Sequence, residues 1–239
     1  MENYIEIRDL TTVIDGKTIL DNVNLTVKKK TIYGFLGPNG AGKTTLMKNI
    51  LTILPYQSGS IKIFGKELKK YREEILADIG SIIEVPIFYE NCTAKEILKI
   101  HCEYMDIECE GLIQETLDMV GLENNENLKA KDFSLGMRQR LGLARALISK
   151  PKLLILDEPI NGLDPMGVRQ IRKLLMRMVE ENDMSILISS HILSEIEHMT
   201  DTIGVLKKGR MLEEVEIEKL KKHNIDLESY FMAHFDDAN

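Results

Sequence analysis

Apolar and polar positions alternate over residues 1–30, through Ile5 and Ile7, then Leu20, Val23, Leu25 and Val27. That is the period of half-buried strands. Asp15-Gly16 lies between the two runs and predicts a hairpin turn. Thr31–Leu36 reads as a short buried strand that ends at a glycine-rich loop. Beyond the loop, Leu46, Ile50, Ile53 and Leu54 share one helical face, with Pro55 as the stop. Ser60–Gly65 reads as an edge strand, and Ile79–Val85 as a further short apolar stretch. From about Thr93 to Ala130 the pattern turns helical and acidic. Asp132–Leu147 reads as a loop entering a helix through Leu141, Leu143, Ala144 and Leu147.

The second half changes character. Lys152–Leu156 is a continuous apolar run, as expected of a strand covered on both faces. Asp164 is a good N-cap and Pro165 a good first residue for the helix that Val168, Ile171, Leu174, Leu175 and Met178 predict. Ser185–Ser190 is another buried strand, and Ile203–Leu206 a short final one. Strands alternating with helices predict an α/β fold with a mostly parallel sheet and helices on both faces. The tail after Lys207 is charged and helix-prone, with Leu220, Leu227, Phe231 and Phe235 scattered through it.

The loop between the third predicted strand and its helix is Gly37-Pro38-Asn39-Gly40-Ala41-Gly42-Lys43-Thr44, a full match to GxxxxGK[ST]. Glycines let backbone N–H groups curl around phosphate oxygens, and the helix N-terminus adds its dipole. Lys43 supplies a point charge for the β- and γ-phosphates, and the Thr44 hydroxyl a ligand for Mg2+. The run Leu153–Leu156 then leads into Asp157-Glu158-Pro159. Adjacent carboxylates at a buried strand end need cationic partners. That end of a parallel sheet is also where α/β folds bind ligands. Asp157 is the expected magnesium residue, and Glu158 the residue that orients the attacking water. The cofactors are therefore ATP and Mg2+.

Composition removes other classes. The 239 residues carry a formal net charge of −7, which argues against a dedicated nucleic-acid binder. No apolar run approaches the ~20 residues that span a bilayer. The acidic start predicts no signal peptide, hence a cytoplasmic chain whose membrane role comes through a partner. Cys92, Cys102 and Cys109 make no CxxC pair and read as free thiols.

The segment Phe133-Ser134-Leu135-Gly136-Met137-Arg138-Gln139-Arg140, followed by Leu141-Gly142-Leu143-Ala144-Arg145-Ala146-Leu147, resembles the signature of ATP-binding cassette (ABC) transporter nucleotide-binding subunits. Leu135 and Met137 depart from its pattern, and Gly136 is kept. The resemblance implies a P-loop NTPase core with an N-terminal antiparallel β lobe and a helical lobe. Core and β lobe would cover about 1–84 and 151–208, the helical lobe about 85–150, and a C-terminal helical tail about 209–239. It also implies a head-to-tail dimer, in which Ser134 and Gly136 of one subunit contact nucleotide held at Gly37–Thr45 of the other. An integral membrane permease subunit would be the further partner.

Other positions match by resemblance. Ile79–Pro86 is similar to the family's Q-loop, with Glu84 in place of glutamine beside the magnesium. Asn161–Asp164 resembles the D-loop, and His191 the switch histidine at the γ-phosphate. The adenine-stacking position falls on Ile14, which predicts apolar contact and weaker base discrimination, with Tyr4 or a neighbour as the substitute. The signature and the Glu84 loop, with Tyr89 and Thr93-Ala94-Lys95-Glu96, are similar to the subfamily that exports bacitracin, lantibiotics and related peptides or confers immunity to them. The alternatives are an importer subunit, a soluble ATPase acting on a macromolecular complex, and a metabolic P-loop kinase. A single cassette without a long coiled coil or a strongly basic surface weighs against the soluble ATPase. The signature and His191 weigh against the kinase.

Overall fold

The computed structural model describes residues 2–223 together with Ile225, Glu228 and Tyr230. Strands β1 (Asn3–Ile14) and β2 (Lys17–Lys28) form an antiparallel hairpin. Its two turn residues, Asp15 and Gly16, both have positive φ, 49° and 75°, the geometry that matches strand twist in a two-residue turn. Next come β3 (Ile32–Leu36), α1 (Lys43–Ile50), β4 (Ser58–Ile63), β5 (Lys66–Glu67), α2 (Arg72–Ala77) and β6 (Ile79–Ile82). The middle of the chain is helical: α3 (Ala94–Tyr104), α4 (Leu112–Met119) and α5 (Leu135–Leu147). It returns through β7 (Leu153–Leu156), α6 (Pro165–Asn182), β8 (Ser185–Ser190), α7 (Leu193–Ile196), β9 (Thr202–Lys207), β10 (Arg210–Glu216) and α8 (Ile217–Lys222).

Two sheets result. The β lobe has the order β2-β1-β4-β5, and the core sheet β10-β9-β3-β8-β7-β6. The core sheet is parallel except for β10 at its edge. Period-two alternation divides β7 between two hydrophobic clusters. Leu153 and Ile155 face α1 and the β lobe, while Leu154 and Leu156 face the helical side. This is why the strand reads as an unbroken apolar run. Register aligns the strand ends: Leu36 pairs Ser190 and Leu156 pairs Ile188, so whatever follows β3 and β7 emerges at the same edge as the end of β8.

Three expectations are corrected. Helix α1 stops at Ile50 rather than at Pro55, because Thr52 turns left-handed (φ 56°), and this leaves Ile53 61% exposed. The strand near Ile203 is not the last, and the tail from about 209 does not begin helical. Lys208 and Gly209, both with positive φ, fold Arg210–Glu216 back onto β9 as a strand, and helix resumes only at Ile217. Tyr4 is buried edge-on against Phe64 at 4.9 Å and lies ten residues along β1 from Ile14, so it is no substitute at the adenine position. Leu227, Phe231 and Phe235 lie outside the described residues. The three cysteines are free, and burial, followed by neighbouring Cys109, pushes the Cys102 thiol up to about 11.

Candidate functional site

The loop from Gly37 to Gly42 joins β3 to α1. A Cβ at Gly37 would collide with the Leu206 carbonyl of β9. Gly42 has φ 110°, and a Cβ there would lie 2.7 Å from Leu20 of β2. The loop is thus pressed between the two sheets, with Pro38, Asn39 and Gly40 exposed and Ala41 buried. Gly209 N–H donates to the Ala41 carbonyl at 2.9 Å, so the β9–β10 turn braces the loop. Thr44 and Thr45 are half-buried in the first turn of α1.

Lys43 is only 5% exposed. Its Nζ donates to the Gly37 carbonyl at 2.6 Å and to Pro38 at 3.3 Å, and it stands 3.5 Å from Glu158 Oε1. The other Glu158 oxygen meets His191 Nδ1 at 2.7 Å. Thr44 Oγ1 donates to Asp157 Oδ2 at 2.6 Å. Asp157 is 6% exposed, and its second oxygen accepts from Ser189 Oγ at 2.6 Å. Lys43, Thr44, Asp157, Glu158 and His191 therefore come together at the carboxyl ends of β3, β7 and β8. The acids have the cationic and hydroxyl partners that their burial demands.

The arrangement fits magnesium. Hard oxygen donors, a hydroxyl and a carboxylate, face each other beside a phosphate loop. Among the described residues no group of three or more His, Cys, Asp and Glu could hold a metal. Magnesium characteristically takes one or two protein oxygens and completes its shell with water and phosphate.

A second set of residues gathers elsewhere. Ser134 caps α5, its Oγ accepting from Met137 N–H at 3.3 Å. Asp164 caps α6, its Oδ1 accepting from Gly167 N–H at 2.6 Å. Ser134, Gly136, Gly162 and Asp164 line one cavity, and no phosphate-loop residue lines it. Leu135 fills the space a side chain would need at Gly162, 3.0 Å from its Cβ position. Signature helix and D-loop segment therefore touch within one chain, through a residue that departs from the signature pattern. Glu84 is left-handed (φ 61°) and pairs with Lys48 of α1 at 2.6 Å. Ile14 sits half-buried at the hairpin end of β1.

Sequence reading passed over Ser189, Lys48 and Glu90. Ser189 is recoverable from its place, near the end of a buried strand and two residues before His191. Lys48 and Glu90 carry no local signal, because their partners are distant in the chain.

A family model described as ABC transporter matches residues 20–161. The chain belongs to the ABC transporter family. It is an ATP-binding subunit of that family and an ATPase, and its core has the P-loop NTPase fold. Among curated relatives, the uncharacterized ABC transporter ATP-binding protein YcbN of Bacillus subtilis is 51% identical, over 95% of this chain and 74% of its own length. The bacitracin transport ATP-binding protein BcrA of Bacillus licheniformis is 47% identical, over 94% and 73%. The lantibiotic transport ATP-binding protein SrtF of Streptococcus pyogenes is 44% identical, over 90% and 91%. A solved ATP-binding subunit of an ABC transporter superposes with TM-score 0.81 at 26% identity, covering 92% of this chain and 93% of that one. The cbiO1 subunit of Clostridium perfringens gives TM-score 0.81 at 27% identity, over 94% and 92%. ABC ATP-binding subunits work with membrane permeases and dimerise.

Proposed function

We propose that this subunit powers a separate integral membrane permease for export of, or immunity to, peptide antibiotics. The chain would lie in the cytoplasm, docked on the inner face of the membrane through that permease. The observation that carries the reading is an apolar surface just beyond the Glu84 loop. Val85 is 61% exposed, Ile87 82%, Tyr89 69% and Tyr104 88%. A contiguous exposed apolar patch marks an interaction site, and the groove among Ile87, Phe88, Ile97 and Ile100 suits an apolar helix from a membrane protein. The names borne by BcrA and SrtF support a peptide-antibiotic cargo.

Coupling has a physical route. Helix α5 grips the segment that carries this surface. Arg138 holds Glu90 through both guanidinium nitrogens, at 3.1 and 2.6 Å, and also donates to the Ala130 carbonyl. Its hydrogen bonds, and then its charge, hold the Glu90 carboxyl below the usual range. Arg145 donates to the Ile87 carbonyl and lies over Phe88. A Cβ at Gly142 would come within 2.7 Å of Pro86. Movement of the permease-facing segment therefore moves the signature N-terminus with it.

The chemistry is divided among the chain's own residues. Lys43 trades its loop carbonyls for phosphate oxygens on ATP binding. Thr44 and Asp157 would hold magnesium, and Glu84 would reach its hydration shell. Magnesium, when bound, neutralises charge on the phosphates. Glu158 orients the attacking water and His191 stands at the γ-phosphate. Ser134 and Gly136 of a second copy complete the site in a head-to-tail homodimer. With Ile14 at the adenine position, ATP and GTP bind with similar affinity. The experiment is Glu158→Gln. It should retain ATP binding, lose turnover by about 10²–10⁴-fold and elute as a dimer with ATP. Normal turnover would remove Glu158 from its role, and co-purification with ribosomes instead of a membrane protein would overturn the permease reading.

A further inference from the structure

Two adjacent serines end β8, and they do different things. Ser190 turns toward its own strand's exit: it accepts from Ile192 N–H at 3.0 Å and meets Glu195 Oε2 at 3.1 Å. Ser189 turns toward β7. It is fully buried, donates to Asp157 Oδ1 at 2.6 Å and accepts from Glu158 N–H at 2.9 Å. The direction of both bonds is fixed, because a carboxylate only accepts and an amide N–H only donates. The single proton of the hydroxyl is therefore committed to Asp157.

We propose that Ser189 is a positioning residue for ATP hydrolysis, selecting the Asp157 oxygen that faces the metal and fixing the backbone from which Glu158 projects. The inference rests on the metal and water-orienting roles assigned above to Asp157 and Glu158. Asp157 is held between two hydroxyls, Ser189 on Oδ1 and Thr44 on Oδ2. With Oδ1 engaged from the β8 side, the oxygen left toward the phosphate loop is Oδ2, beside the other expected magnesium ligand. Glu158 has φ 47°, a left-handed conformation that a non-glycine residue keeps only when its surroundings hold it. The bond from its N–H to Ser189 is such a hold. His191 lies one residue beyond the end of β8 and meets the Glu158 side chain at 2.7 Å. The end of β8 and the residue just beyond it thus address both acids, Ser189 through Asp157 and the Glu158 backbone, His191 through the Glu158 carboxylate.

The test is Ser189→Ala, read by the magnesium dependence of fluorescent ATP-analogue binding as well as by turnover. Loss of an outer partner of a metal ligand characteristically costs about 10–100-fold in metal affinity or activity. The expected result is a rise of that order in the magnesium needed for half-maximal binding. kcat should fall comparably, with KM for ATP at saturating magnesium little changed. In an Asp157→Asn background, Ser189→Ala should add little to the magnesium shift, and what it still costs in kcat would come through the Glu158 backbone. If the two magnesium shifts multiply, or if Ser189→Ala leaves both readouts unchanged, the proposal is overturned. If Asp157→Asn alone leaves magnesium dependence untouched, the reading of the site fails first. Thermal melting of each variant separates misfolding from misplacement. Should the alanine variant not fold, Ser189→Cys, a near-isostere with a weak donor, must show the same shift in smaller measure; an unshifted cysteine variant overturns the proposal.

Discussion

Lys43 and Asp157 are 5% and 6% exposed, held by carbonyls and hydroxyls at 2.6 Å, whereas Leu135 at the start of α5 is 44% exposed and rests on a glycine of a neighbouring loop. In the proposed head-to-tail dimer each nucleotide would meet the sheet end of one copy and the α5 face of the other, two regions built by opposite means. At the sheet end, buried charges are compensated within the chain, so geometry is set before any ligand arrives, as electrostatic preorganisation requires. At the α5 face, the contacts are an exposed leucine, two caps and ion pairs such as Arg138–Glu90, whose side chains are 21% and 50% exposed. Such contacts cost little to rearrange. A subunit that holds phosphate rigidly and, on the proposed reading, moves a permease would need both kinds.

The sharpest way to break the comparison is to strain the rigid half. Gly42→Ala places a Cβ 2.7 Å from Leu20 in a residue with φ 110°. Backbone strain of this kind costs about 1–3 kcal/mol. ATP binding by the variant should fall more than tenfold in equilibrium titrations, with a lower Tm. If ATP binding is unchanged, the loop is softer than its packing implies.

Cutting the adjustable half should do something different. Arg138→Met removes both bonds to Glu90 and leaves the sheet end intact. ATP hydrolysis by the isolated subunit should stay within about fivefold of wild type, as befits a partly exposed pair. Stimulation by the reconstituted permease should be lost. A variant still stimulated normally would show that coupling runs through Pro86–Gly142 packing and not through the ion pair.

The two halves also differ in how far sequence alone reveals them. The phosphate loop, Asp157-Glu158 and the Asp164 cap are legible because their logic is local: a strand, a turn and a helix start within a few residues. The hairpin at Asp15-Gly16 is legible for the same reason. Beta strand β10 is not, because charged Arg210–Glu216 mimics a helix and only the Lys208-Gly209 turn betrays it. The meaning of Leu135 is not legible either, because its partner Gly162 comes from another element. Glu84 carries a charge that its sequence neighbours leave unexplained, and its partner Lys48 becomes visible only once α1 and the end of β6 are side by side.

That pair lies on the boundary between the halves and gives a smaller effect. Lys48→Met frees Glu84 for the hydration shell of magnesium. The magnesium concentration for half-maximal ATP binding should fall about two- to fivefold, the scale of a partly exposed ion pair. In a Glu84→Gln background the substitution should do nothing. Equal shifts in both backgrounds would mean that Lys48 acts on nucleotide directly.

The smallest effect belongs to His101, half-buried on α3 in the groove assigned to the permease, where the other titratable groups are Tyr89, Tyr104 and Arg145. Burial first, then the Arg145 charge, lowers its pKa from the ordinary histidine value near 6.5. The unfolded chain therefore binds the proton more readily than the folded one, and stability rises with pH across this window. Stability is complete above about 6.5 and declines as pH falls toward the lowered folded value. In thermal melts between pH 7.5 and 5.5, wild type should lose more Tm than His101→Gln, and equal losses would place His101 in a more watery setting than its packing indicates. On the proposed reading, permease docking would cover the same groove and deepen the burial. In the complex the pH dependence should steepen, which makes this histidine a reporter of whether the adjustable half has found its partner.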